Sequence, residues 1–436
     1  MTFPLTLIFM FLVFWRPQEW LLPWLYGWPL LDAVVYTAVL TLLMEVNQGR
    51  ARFVRTPAMS LAIGIWFASL MSHAAHTYFQ GMINTAPETF KYCFLLILLL
   101  VVIDRPARLQ RVMLVTVAVA VVMAIHCLMQ QRLGYGFAGL RPLYAYRPVT
   151  HEWQMRSYFF GIFGDPNDTA QMLACAIPLV FAIPKRMTPV AFLGGCGIAW
   201  LLFEALLATH SRGGMIALGA TVACMVFIRM PVRWLPYLAV IGLLAGLVAC
   251  KFFGNVFFDM STRERIVFWG LANRAFKSSP IFGLGYGMFW MVAGDRAAHN
   301  AFVTCYTEVG LFGYWFWFSL MQLGVIGCWR TMRAFIRTRN AEQAYLKRAA
   351  GLSIAAMVGF AAGGYFLSRA FVFPIFFLFG ILNAIPLIAR RYMPEESPPL
   401  QDAARDVFGM GTLTTLFSVV YIYVTILILN KGFYGG

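Results

Sequence analysis

Residues Val112 to Met129 read VMLVTVAVAVVMAIHCLM, an apolar run without a charged side chain. A helix of about 20 mostly apolar residues crosses the roughly 30 Å hydrocarbon core of a bilayer. Other windows of this kind recur along the chain. They are Phe3–Trp15, Pro29–Met44, Pro57–Met71, Thr89–Ile103, Ala170–Ile183, Val190–Ala208, Met215–Ile228, Leu235–Cys250, Ala301–Cys328, Leu352–Phe366, Phe371–Leu387 and Thr412–Leu429. The sequence therefore predicts an all-α, polytopic integral membrane protein with about 12–13 transmembrane helices.

The composition excludes a soluble fold of this size. Of 436 residues, 61% are hydrophobic and 12% are charged, whereas soluble domains are about half apolar and about a quarter charged. The net charge of +16 comes from 34 Lys and Arg against 18 Asp and Glu. These basic residues punctuate the apolar runs and do not cluster on one polar domain, which argues against nucleic-acid binding. We expect residues 1–436 to form a single transmembrane domain.

Short basic loops indicate the orientation, because such loops stay in the cytoplasm. They lie at 50–55, 105–111, 185–186, 229–233 and 330–348, and two predicted spans separate each from the next. The long connections 130–169 and 251–300 then face outward, and we expect loop helices on this periplasmic side. Both connections also contain basic residues, which orientation does not require. These residues either contact solvent and lipid headgroups or surround an anionic ligand, because Arg grips phosphate oxygens in a bidentate manner.

His299 is the candidate general base. Asn300 and a long apolar helix follow it, so it lies near a helix N-terminus. The positive end of the helix dipole lowers the pKa of an imidazole and favours the neutral form that a base requires. The alternative is a capping or hydrogen-bonding role for the His-Asn pair.

Arginines of the outer connections are the candidate anion ligands. Arg263 and Arg265 belong to a predicted amphipathic helix on the membrane surface. Arg265 lies closer to its apolar face, where its charge needs a partner such as phosphate. Arg212 lies between two spans, where an arginine is costly unless it is paired or reaches the headgroups. Arg147 and Arg156 are assigned to substrate binding on physical grounds alone.

Two polar segments precede predicted helices. Gly161-Ile-Phe-Gly-Asp-Pro-Asn-Asp168 contains Asn167 and Asp168, and we expect one of these two to cap the next helix. Asp165 and Asp168 are only weak evidence for a divalent metal, and no CxxC or HxxxH spacing is present. The glycine run 283–287 follows no predicted strand, so it is not a nucleotide fingerprint. We therefore predict neither a metal nor another cofactor.

Several motifs together resemble the O-antigen ligase and polymerase superfamily. In chain order they are Gly161-Ile-Phe-Gly-Asp-Pro-Asn167, Ser211-Arg212-Gly213-Gly214, Arg265 with Trp269, Gly283-Leu-Gly-Tyr-Gly287, and His299-Asn300 followed by Glu308, Gly310 and Gly313. The motif-bearing part covers roughly residues 161–313, and the flanking spans match only as apolar helices. Each motif is weak alone, but their order on one predicted face is fairly specific.

The resemblance implies a GT-C-like glycosyltransferase of the bacterial inner membrane. Its donor is a glycan linked to undecaprenyl pyrophosphate on the periplasmic side. In ligases the glycan passes to a sugar hydroxyl of lipid A core, without a metal ion and with inversion at the anomeric carbon. By the same resemblance His299 is the base, and Arg212 and Arg265 are essential. The predicted substrate-binding residues are Arg147, Arg156, Arg263, Asn167 and Asn300.

The expected partners are undecaprenyl-pyrophosphate-linked O-antigen, lipid A core and membrane lipids, and no nucleic acid. A polymerase or a protein O-oligosaccharyltransferase would share the donor chemistry. We favour the ligase, partly because we expect no extended soluble domain for protein acceptors. A lipid or anion transporter needs polar residues along a transmembrane path, whereas only Asp32, Glu204 and Glu308 lie within predicted spans.

Overall fold

The computed structural model describes residues 1–147, 151–230, 237, 260–294 and 296–431. Almost all of the regular structure in these ranges is helical. The helices are α1 Thr2–Trp15, α2 Pro17–Trp20, α3 Leu30–Asn47, α4 Pro57–Ala74, α5 Phe79–Val102, α6 Pro106–Leu133, α7 Pro166–Ala182, α8 Pro189–Ala208, α9 Arg212–Phe227, α10 Met260–Ser278, α11 Trp290–Ala293, α12 Ala301–Ala334, α13 Ala341–Gly364, α14 Phe373–Arg390 and α15 Thr412–Lys431. A π-helical segment, Ala403–Gly411, leads directly into α15.

The predicted all-α polytopic class is confirmed. Among the described residues, 8 helices are long and apolar enough to cross a membrane: α3, α4, α5, α6, α8, α12, α14 and the continuous segment Ala403–Asn430. Helices α1 and α9 are apolar but shorter. The predicted span Leu235–Cys250 lies outside the described residues except for Tyr237, and every other predicted span overlaps a helix. The total of about 12–13 spans stays a prediction.

Pro166 and Asp165 determine where α7, the helix that begins in the 161–168 segment, starts. Pro166 is the first residue of α7, a position where its missing N–H costs no hydrogen bond. The cap is Asp165, whose Oδ1 accepts from the Asn167 backbone N at 2.7 Å. The expectation that Asn167 or Asp168 caps this helix was wrong, because the proline shifts the start of the helix toward the N-terminus.

The connection 130–169 contains a β-hairpin, which the sequence analysis did not predict, together with the one-turn helices Phe137–Gly139 and Gly161–Phe163. Strands β1 Leu143–Arg147 and β2 Glu152–Arg156 pair antiparallel, with Tyr146 opposite Trp153. Alternating aromatic residues favour a strand, and aromatic pairs across two strands stabilise it. In the other connection, 251–300, loop helices are present as α10 and α11.

The basic connections and the motif-bearing connections lie at opposite ends of the helix bundle. At the basic end, Arg391 donates to the Asp104 carbonyl at 2.6 Å, Gln343 donates to the Tyr392 carbonyl at 3.0 Å, and Arg348 donates to the Pro184 carbonyl. The helices that begin at the other end, among them α7, α9, α12 and α14, bring their N-termini together there. This grouping positions the candidate site.

Helix α12 runs through the centre of the bundle. It packs against α4, α13 and α14, and its Tyr306, Tyr314 and Trp317 are among the largest fully buried side chains. Helices associate in lipid through van der Waals packing and hydrogen bonds between them. The core is therefore built around α12, whose first turn follows His299.

Candidate active site

Helix α12 is interrupted at Gly310. Residues 280–287, which we call the glycine loop, supply hydrogen bonds to the backbone groups on both sides of the interruption. Gly310 has φ 65° and ψ −172°, which leaves backbone groups on both sides without helical partners. Residues 280–285 supply four replacement hydrogen bonds. Leu284 N donates to Thr307 O at 2.9 Å, Gly285 N to Glu308 O at 3.0 Å, Leu311 N to Pro280 O at 2.8 Å and Phe312 N to Ile281 O at 3.0 Å. An unsatisfied backbone group is costly within a membrane, so the break depends on this loop.

Two motif glycines permit this close approach. A Cβ on Gly283 would lie 2.5 Å from the carbonyl oxygen of Glu308, and a Cβ on Gly310 would overlap the carbonyl of Ile281. Both residues also have positive φ angles, 71° and 65°, which disfavour any side chain. The glycines of these two motifs therefore join the loop to the broken helix.

His299 is held immediately before α12 by contacts from two other segments. Its backbone N donates to Ser368 Oγ at 2.6 Å, and the neighbouring Ala298 carbonyl accepts from Trp269 Nε1 at 2.6 Å. His299 has φ 51°, a left-handed conformation that these contacts stabilise. Asn300, 1% exposed, caps α12 through Oδ1, which accepts from Phe302 N and Val303 N.

The surroundings of His299 favour a neutral imidazole. Burial is the main cause that lowers its pKa below the ordinary value of 6.5, followed by the positive charge of Arg265. Asp165 opposes this shift, and Arg369 and Arg296 add to it. The lowered pKa agrees with the sequence prediction, but the causes are burial and nearby guanidinium groups, which the helix-terminus argument did not include.

Hydrogen bonds join the 161–167 motif to the 211–214 motif. Asn167 Oδ1 accepts from Ser211 Oγ at 2.6 Å and from Arg156 Nη2 at 3.1 Å. Arg156 Nε also donates to the Thr209 carbonyl at 3.2 Å. Ser211 caps α9 by accepting from Gly214 N at 3.0 Å. Two predicted substrate-binding residues, Arg156 and Asn167, thus lie beside the turn that precedes Arg212.

An ion pair between Asp168 and Arg369 links α7 to the loop before α14. Arg369 donates from Nε to Asp168 Oδ1 at 2.8 Å and from Nη2 to Oδ2. Asp168 is 5% exposed and Arg369 is 39% exposed. Arg369 and Ser368 adjoin His299 and were not among the predicted site residues. The signal that pointed to Arg212, an arginine in a short turn between two predicted spans, could have found Arg369 too.

The other predicted residues lie on α9, on α10 and on the hairpin. Arg212 is the exposed first residue of α9, and Arg265 is a half-buried residue of α10 whose charge acts on His299. Arg147 ends β1 and Arg263 lies in the first turn of α10, and only their backbone positions are described. Asp165 caps α7 and Asp168 pairs with Arg369, so both carboxylates have protein partners.

A cavity of about 400 Å³ adjoins His299 through Ser368 and Ala298. Its charged lining consists of Arg296 and Arg369 together with Glu88 and Glu308; Tyr286, Trp290, Thr304 and Phe371 also line it. A neutral base, guanidinium groups and an adjoining cavity can together take a proton, stabilise an anion and hold a second substrate.

Residues 197–318 match the family model described as O-antigen ligase. This segment includes Arg212, Arg265, the glycine loop and His299. The 161–167 motif precedes it, but the hydrogen bond between Asn167 and Ser211 connects that motif to the matched segment. No curated protein matches the chain. The family match confirms the resemblance that the motifs indicated.

Proposed function

We propose that this membrane protein, a member of the O-antigen ligase and polymerase superfamily, is an O-antigen ligase. It transfers O-antigen polysaccharide from undecaprenyl pyrophosphate to a sugar hydroxyl of lipid A core, at the periplasmic face of the bacterial inner membrane. The observation that carries the proposal is His299, whose pKa is lowered by burial and by Arg265, beside an open cavity of about 400 Å³. A glycosyl transfer from a pyrophosphate needs this combination.

Arginines stabilise the leaving group. When the bond between the anomeric carbon and the pyrophosphate oxygen breaks, the bonding pair goes to that oxygen, and undecaprenyl pyrophosphate departs as an anion. Fixed guanidinium groups stabilise this developing charge without a metal ion. Arg212 and Arg265 have this role by their motifs. Arg369 supports it by position, since its charge also acts on His299.

His299 receives the proton of the acceptor. As the acceptor oxygen forms its bond to the anomeric carbon, its proton passes to the neutral imidazole, and attack opposite the leaving group inverts the configuration. Both substrates are lipid-linked and are held in one membrane plane. Binding them side by side makes the reaction effectively unimolecular, which lowers the entropic part of the activation barrier.

The arrangement of the bundle supports the proposed periplasmic orientation. The site lies at the end of the bundle opposite Asp104 and Pro184, which border the basic connections 105–111 and 185–186. Short basic loops face the cytoplasm in inner-membrane proteins, so the site faces the periplasm. The lipid-linked donor is expected to reach it there.

Reconstitution in nanodiscs tests the reaction. The purified protein receives undecaprenyl-pyrophosphate glycan, with or without lipid A core and with or without EDTA, and the products are resolved by size. We expect transfer to the core that EDTA does not reduce. Chain elongation without the core would instead indicate a polymerase, and transfer only to a supplied protein would indicate a protein O-oligosaccharyltransferase.

The role of His299 is tested by His299→Ala, with His151→Ala as the matched control. His151 is an exposed histidine that hydrogen-bonds Tyr146 in the outer hairpin. Loss of a general base lowers turnover by about 10²–10⁴-fold, so we expect a loss of this size for His299→Ala and none for the control. Equal activity of the two variants would exclude His299 as the base.

A further inference from the structure

The cavity beside His299 has a second polar region that the donor chemistry does not use. Arg296 and Arg369 line it and act on His299, as expected for groups near a pyrophosphate. Glu88 and Glu308 also line the cavity, and carboxylates repel phosphate. This acidic region is therefore suited to a neutral or hydroxyl-rich part of a substrate.

Glu88 is the centre of the acidic region. It lies in α5, a helix long and apolar enough to cross a membrane, one residue before the predicted span Thr89–Ile103, and its side chain is exposed at the cavity. Its Oε1 accepts from the Tyr286 hydroxyl at 3.1 Å and from the Tyr92 hydroxyl at 3.4 Å. Within the described ranges, Oε2 receives no hydrogen bond from protein. A carboxylate exposed at a cavity, on a helix that can cross a membrane, is a candidate functional residue, and a carboxylate oxygen accepts hydrogen bonds from hydroxyl groups.

The glycine loop holds the neighbouring side chains in place. Tyr286 N donates to Ser72 Oγ at 3.0 Å, and Phe289 N donates to Glu308 Oε1 at 3.4 Å. Glu308 is 6% exposed and is fixed by this contact. Burial, followed by the charges of its neighbours, raises the pKa of the Tyr286 hydroxyl, so this group stays a neutral hydrogen-bond donor.

An aromatic side chain completes the lining. Trp290 of α11 lies three residues after Gly287, lines the cavity and is 59% exposed. Sugar rings present C–H groups on their faces and hydroxyls on their edges. An open indole face and a few fixed acceptors match both surfaces, as in small-molecule sites that combine aromatic walls with convergent polar groups.

We propose that the acidic region of the cavity binds the acceptor saccharide, and that Glu88 is a specificity-determining residue for it. Tyr286 and Trp290 complete this subsite. The proposal rests on the function proposed above and assigns the acceptor to the part of the cavity lined by Glu88, Tyr286 and Trp290. The acceptor hydroxyl then lies between its own subsite and His299.

Steady-state kinetics with lipid A core as the varied acceptor tests the assignment. Glu88→Gln removes the charge and keeps the shape, and Glu152→Gln on the exposed hairpin is the matched control. Loss of a hydrogen bond to a charged group corresponds to about tenfold or more in binding. We expect the acceptor KM to rise at least tenfold for Glu88→Gln, with the donor KM and kcat within about twofold of the original protein. Tyr286→Phe should give a smaller rise in the same constant.

The donor KM serves as the check of folding. If Glu88→Gln does not fold, Tyr286→Phe decides the test by the same criterion. An unchanged acceptor KM, or equal rises in the acceptor and donor constants, would overturn the subsite. If the original protein only elongates the donor glycan, the ligase proposal fails. The growing glycan chain is then the saccharide acceptor. The KM for this chain, compared between Glu88→Gln and the original protein, still tests whether Glu88 belongs to the acceptor subsite.

Discussion

Replacing Gly310 by alanine should destabilise the protein strongly, because its backbone has a conformation that only glycine adopts without strain. That strain costs about 1–3 kcal/mol. The new Cβ would also overlap the Ile281 carbonyl and displace the glycine loop, which makes four backbone hydrogen bonds to the broken helix. At about 1 kcal/mol each, losing two to four of these bonds brings the total to roughly 3–7 kcal/mol.

Gly294→Ala is the matched control for this prediction. Gly294 has φ 60° and ψ −139°, close to the angles of Gly310, but among the described residues no atom beyond its chain neighbours lies within 4 Å of its Cβ position. The control should therefore show the conformational strain without the collision. The free energy of unfolding can be measured by SDS titration in mixed micelles. Equal losses in the two variants, or a Gly310→Ala protein as stable as the original, would refute the argument that the loop repairs the helix.

Two further predictions concern the charges around His299. Because the pKa of His299 is lowered, the acid limb of kcat/KM against pH should have its midpoint below 6.5. Arg265→Gln should move this midpoint upward, whereas Arg265→Lys should keep it low because the positive charge is retained. A midpoint at or above 6.5 in the original protein would contradict the assignment of His299 as the base. Asp168→Asn should lower the free energy of unfolding by about 1.5–3 kcal/mol, less than for a fully buried pair, because Arg369 is 39% exposed and water can solvate it. Thermal unfolding in detergent, with Arg369→Ala for comparison, measures this effect.

The spans were predictable from the sequence because backbone groups in lipid must form hydrogen bonds within the protein. A peptide group in hydrocarbon must be paired, so a long apolar run becomes a helix whatever surrounds it. The window 112–129 accordingly lies within α6, and 190–208 lies within α8. The outer connections lack this constraint. Tyr144, Tyr146 and Trp153 belong to a hairpin there, which the sequence analysis did not predict.

The candidate site was predictable only in part, because its residues come from distant parts of the chain. Motif order located His299, Arg212 and Arg265, but it gave no distances between them. Arg369 was missed because it belongs to no motif, and its role depends on Asp168, about 200 positions earlier in the chain.

The sequence by itself determined the membrane class of the protein and the resemblance to a superfamily whose model matches residues 197–318, because hydropathy and motif order are properties of local segments. Only the tertiary structure decided which polar groups share one cavity. The pairing of Asp168 with Arg369, the repair of the break at Gly310 and the meeting of Glu88 with Tyr286 all depend on packing between helices. Packing sets the burial and the charges that lower the pKa of His299, and no local pattern encodes these.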